Sequence, residues 1–115
     1  MEKQSFTLPQ QAPLPLPQFK KRNGYLFEQV VSGARAVVYS GSQAEGILKY
    51  EVFLIRVAKE YHPTWGDVIP AHEYFPSDEA FGVTAWTWGI HTGGLEYAMR
   101  KFNELENETN KNQTI

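Results

Sequence analysis

The residues whose types could do chemistry gather between positions 61 and 91. That stretch holds all three histidines, His62, His72 and His91, and four carboxylates, Asp67, Glu73, Asp78 and Glu79, with no Lys or Arg among them. Imidazole and carboxylate together ligate zinc, iron or manganese. Their spacings reproduce neither H-E-x-x-H, nor a facial triad, nor a calcium loop. His72 and Glu73 are the weak candidates for metal ligation or acid–base work. Neighbours in an extended chain point to opposite sides, so the stretch reads as a solvated loop with capping carboxylates. No metal and no cofactor is expected. No G-x-S-x-G, Walker loop or Ser/Lys pair appears, and the Gly41 to Gly46 spacing is followed by Ile47 and Leu48 where a phosphate loop needs Lys-Ser/Thr. The absence of cysteine excludes thiol nucleophiles, thiolate zinc sites, iron–sulfur clusters and disulfides. The expectation is a protein that is not an enzyme.

Aromatic residues are the stronger signal. The 115-residue chain carries 7 Phe, 6 Tyr and 3 Trp, 14% of its length. Many must pack a core, but a domain this small has limited interior. Trp65, Tyr74, Phe75, Trp86 and Trp88 are the candidates to face outward, beside acidic loops, as anchors for a protein partner. Two leucines join them. Leu14 and Leu16 alternate with Pro13, Pro15 and Pro17, a pattern that favours an extended arm with both leucines on one side. The only basic cluster, Lys20-Lys21-Arg22, follows that arm. It supplies the alternative expectation, nucleic-acid binding with cations on phosphates and aromatics on bases. A net charge of −2 gives no global pull toward polyanions.

The elements that position these residues follow from pattern. Tyr25 to Val31 is rich in aromatic and β-branched residues and predicts a strand. Ser32-Gly33 predicts a turn, Ala34 to Tyr39 the return strand, and Ser40 to Gly46 a loop. Ile47 to Val57 is apolar on both sides near its middle and predicts a central strand. Pro76 to Gly82 predicts a short helical turn capped by Ser77 and ended by Gly82, and Val83 to Trp88 a fourth strand. Thr92 to Leu105 predicts an amphipathic helix, N-capped by Thr92, with Leu95, Ala98, Met99, Phe102 and Leu105 as its apolar stripe. The fold class is therefore α+β, an antiparallel sheet of three to four strands with one C-terminal helix across one face. Residues 1–23 read as an arm, 24–106 as a single domain, and 107–115 as a polar tail too poor in apolar groups to order. No segment reads as a membrane span or a secretory leader, so a cytoplasmic protein is expected. The N-x-T triplets at Asn107 and Asn112 are accordingly read as chance.

The run Glu73-Tyr74-Phe75-Pro76-Ser77-Asp78-Glu79-Ala80-Phe81-Gly82, then Ala85-Trp86-Thr87-Trp88 and Leu95 to Phe102, resembles a group of small bacteriophage and mobile-element proteins. Those carry an aromatic-Pro-Ser-x-Glu-x-aromatic-Gly segment, a Trp-Thr strand and a final helix. The resemblance spans about residues 69–105. It implies an accessory role in a host cytoplasm and no particular catalytic residue. Gly89, Thr92, Glu96 and Ala98 are also loosely similar to the turn and helix of AP2-type DNA-binding domains, without their strand arginines. The expectation is a small binding module acting on a protein partner or on itself.

Overall fold

The computed structural model describes residues 12–63 and 66–113, with side chains to residue 108. Its elements are β1 (Phe19–Arg22), β2 (Tyr25–Ser32), β3 (Ala36–Gln43), β4 (Gly46–Leu54), β5 (Arg56–Ala58), β6 (His72–Tyr74), β7 (Ala85–Gly89) and α1 (Gly94–Gln113), with 3-10 turns at Asp78–Ala80 and Ile90–Thr92. The chain divides into two compact units, one of Pro17–Ile55 with Phe75 onward, the other of Arg56–Tyr74 with the stretch ending at Leu16.

The larger unit is an antiparallel sheet of strand order β1-β2-β3-β4-β7, with α1 packed on β3, β4 and β7. The class is the expected one, and β4 lies inside the sheet as its two apolar faces require. Toward the helix, Ala36, Val38 and Val52 meet Ala98, Phe102 and Leu105, flanked by Tyr50, Leu54, Trp86, Trp88 and Met99. On the opposite face, Tyr39 and Phe53 stack at 5.8 Å between centroids, and Phe75 closes on them at 4.8 and 5.3 Å and on Phe27 at 6.2 Å. Ring pairs of this kind add about 0.5–1.5 kcal/mol each beyond their buried area.

The sheet has five strands because Phe19–Arg22, assigned by composition to the arm, pair with β2 in the register Phe19↔Glu28 to Arg22↔Tyr25. The tight connection is made by Asn23 and Gly24, both at positive φ. β3 also runs on through Ser40–Gln43, where Gly/Ser content predicts a loop. Gly41 is a strand residue because the Phe27 ring lies over it, 2.9 Å from where a Cβ would sit. The long strand predicted from Ile47 to Val57 breaks at Ile55, whose N–H donates to the Arg35 carbonyl, and β5 pairs elsewhere. Thr92 does not cap α1. Its hydroxyl donates to the Gly89 carbonyl at 3.0 Å, closing the 3-10 turn, and Gly93 at φ 96 delays the helix to Gly94. Leu95, in the first turn of α1, is exposed, while Ala98, Phe102 and Leu105 are buried as predicted. The helix continues to Gln113, past the Leu105 limit of its stripe and into the predicted tail. At the turn before β7, Gly82 adopts the left-handed φ expected of it, whereas the Ser77 side chain makes no cap bond.

In the smaller unit β5 and β6 form a two-stranded antiparallel sheet. Leu14 lies alongside β6, its N–H donating to Ala71 and its carbonyl accepting from Glu73.

Candidate recognition groove between strand and helix

β7 places Trp86 and Trp88 two residues apart, so both side chains fall on the helix-covered face of the sheet. The strand is the outermost on its side, and α1 covers the two indoles only in part: both are half-buried. One helical turn separates Tyr97 from Arg100 and Lys101, and another reaches Glu104, which puts all four along the margin of the apolar stripe. Strand and helix together enclose a groove of about 230 Å3 lined by Trp86, Trp88, Tyr97, Arg100, Lys101 and Glu104.

Its geometry is set by ring contacts. Tyr97 stacks on Trp88 with centroids 6.4 Å apart and planes 29° apart. Gly93 makes this possible, since a Cβ at that position would overlap the Tyr97 ring. The Lys101 ammonium lies 4.2 Å from the centre of the Trp86 ring, and the Arg100 guanidinium 5.1 Å from that of Tyr97. Each cation has its own carboxylate, Arg100 with Glu96 at 3.2 Å and Lys101 with Glu104 at 3.3 Å. The groove is thus apolar in its floor and balanced in charge at its rim.

The other sequence candidates belong to other elements. Phe75 is half-buried in the ring cluster on the far face. Tyr74 is exposed on β6, Leu14 is exposed, and Leu16 is buried with its N–H donating to Glu73 Oε1 at 3.0 Å. Trp65 lies outside the described residues. His72 and Glu73 both have structural partners: Nδ1 of His72 donates to the Pro70 carbonyl at 2.9 Å, and Glu73 holds Leu16. Among the described residues no three His, Cys, Asp or Glu side chains are grouped to hold a metal ion.

The basic triplet is divided between faces. Lys20 and Arg22 reach over Phe75, at 5.8 and 5.9 Å, while Lys21 lies across from Leu26 on the other side. Arg22 also donates to the Pro76 carbonyl at 2.7 Å and stands 4.0 Å from Asp78. Beneath it a cleft of about 210 Å3 contains buried Glu51, whose carboxylate is met by Lys49 at 3.1 Å. Lys49 in turn sits 4.2 Å from the Tyr25 ring, so the pair is satisfied within the fold. A shallower groove of about 530 Å3 lies at the tip of the β1–β2 hairpin, between Lys21, Leu26 and Gln43.

Of the residues lining this groove, the sequence pointed to the two indoles and not to Tyr97, Arg100, Lys101 or Glu104. Their signal was a second row at helical spacing beside the apolar stripe, which becomes a wall only once β7 is known to be the edge strand. No protein-family model, curated protein or solved structure matches the chain.

Proposed function

We propose that the protein is a non-catalytic recognition module whose contact surface is the groove of Trp86, Trp88 and Tyr97, and whose ligand is a protein. One observation carries this reading: three rings, two of them half-buried and one exposed, converge beside an outermost strand with no charged residue in it. Aromatic anchors in partly desolvated pockets dominate the energy of protein association. An accessory role in a phage or mobile element rests on the resemblance of residues 69–105 alone. The nucleic-acid alternative is less well supported, because a strand that sends Lys21 to one face and Lys20 and Arg22 to the other lays down no continuous basic track.

A photoreactive phenylalanine analogue in place of Tyr97 tests the assignment, with the same analogue at exposed Glu45 as control. Illumination in an extract of the source cell should give protein adducts at position 97 and few at 45. Adducts to nucleic acid, or equal labelling at both positions, would overturn it.

A further inference from the structure

The sheet has two outer strands of opposite character. β1 carries Lys20, Lys21 and Arg22, and cations of this kind keep an exposed edge from pairing with another chain. β7 is Ala-Trp-Thr-Trp-Gly, with no charge, no proline and no bulge in its pairing with β4. Its backbone alternates in a known phase. Thr84 accepts from Leu54 and so points toward β4, whereas Ala85 accepts from Gly82 and points away. Thr87 therefore directs both its N–H and its carbonyl to the open side, and its side chain is exposed.

We infer that this edge pairs with the same edge of a second copy, making a two-fold dimer through antiparallel β7 strands centred on Thr87. The inference rests on the groove being a protein-binding surface and names its occupant. A two-fold at Thr87 lets the two threonines exchange both backbone hydrogen bonds. It sets Trp86 of one copy directly opposite Trp88 of the other, on the helix side, where the indoles fill each other's groove. Because Lys101 lies over Trp86 and Tyr97 stacks on Trp88, the same rotation brings Lys101 toward the second copy's Tyr97, a cation toward a ring. The complementarity is of the patch with itself, as a two-fold requires. The Gly82–Ala85 bond occupies the start of the strand, so the shared ladder is confined to Trp86–Trp88 and the rings supply most of the contact.

Position 87 provides the test, since a two-fold places it opposite itself and its side chain is outside the helix-side core. Light scattering coupled to gel filtration should give twice the chain mass for the native protein at micromolar concentration. Thr87→Lys and Thr87→Glu should each shift the mass to that of one chain, and an equimolar mixture of the two should restore the doubled mass as a heterodimer. Circular dichroism of each variant should match the native protein. A native protein that stays monomeric at 100-fold higher concentration, or a dimer indifferent to both substitutions, overturns the inference. A monomer that still yields adducts to a different protein at position 97 sinks the self-pairing and leaves the groove reading standing; a monomer with no adducts sinks both.

Discussion

At the scale of single residues Glu106 is a long-range anchor. Its carboxylate accepts the backbone N–H groups of Ala34, Arg35 and Ala36 at 3.1, 2.8 and 2.7 Å, fastening α1 to the turn between β2 and β3. Partial burial pushes its pKa up. The bonds from Arg35, Ala36 and Ala34 and the Arg35 charge outweigh that and leave it below its ordinary 4.5. Gly33 belongs to the same device, because a Cβ there would overlap the carboxylate. Hydrogen bonds to a charged group contribute about 1.5–3 kcal/mol, and the carboxylate is partly solvated, so Glu106→Gln should cost about 1–2 kcal/mol in urea unfolding. The sign of its pH dependence is fixed by the depressed pKa. The difference between native protein and variant should be full above pH 4.5 and shrink as pH falls through the lower folded value, vanishing in strong acid. A difference that instead grew in acid would show that the carboxylate is not held as its anion. Nothing in the sequence marked this residue. It follows Leu105 as one more polar position, and its partners lie about 70 residues upstream.

At the scale of elements, what was legible is what short-range pattern controls. The β2–β3 hairpin, the central position of β4, the strand ending in Trp88 and the Ala98–Phe102–Leu105 stripe all follow from alternation or helical spacing. The departures come from tertiary contacts overriding local composition. Lys20-Lys21-Arg22 is a strand because β2 needs a partner, and a basic edge is a defended edge rather than an arm. Ser40–Gln43 is a strand because Gly41 provides the gap into which Phe27 and Lys49 pack. By propensity, Gly41→Ala should help a strand interior. Here its new methyl would meet the Phe27 ring at 2.9 Å and the Lys49 stem at 3.2 Å. Overpacking of that kind costs about 1–3 kcal/mol, so the substitution should lower the urea midpoint with an unchanged slope. A rise in midpoint would mean that Ser40–Gln43 is a loop, as its Gly/Ser content suggests, and that Phe27 does not pack over Gly41.

At the scale of the whole molecule the governing fact is the asymmetry of the sheet's two borders. Rings too numerous for one interior settle on both faces, in the Tyr39–Phe53–Phe75 cluster and in the Trp86–Trp88–Tyr97 groove. That the indoles lay toward the helix was invisible without register, since Trp86 and Trp88 share a face on any reading and only pairing with Val52 and Tyr50 says which one. A sheet with one guarded and one open border can join one neighbour and then stop. Removing the guard should change that outcome. Lys20→Thr with Lys21→Thr puts a β-branched residue at each position and leaves Arg22 on its Pro76 and Asp78 contacts. Both borders are then open to their own kind, and two different self-complementary edges alternate into an open chain rather than a closed dimer. The double variant should scatter as a growing assembly at concentrations where the native protein holds a single mass. Adding Thr87→Lys should then cap growth at two chains joined through β1. If the double variant keeps the native mass, the charges on β1 are not what limits assembly, and the contrast between the two borders loses its meaning.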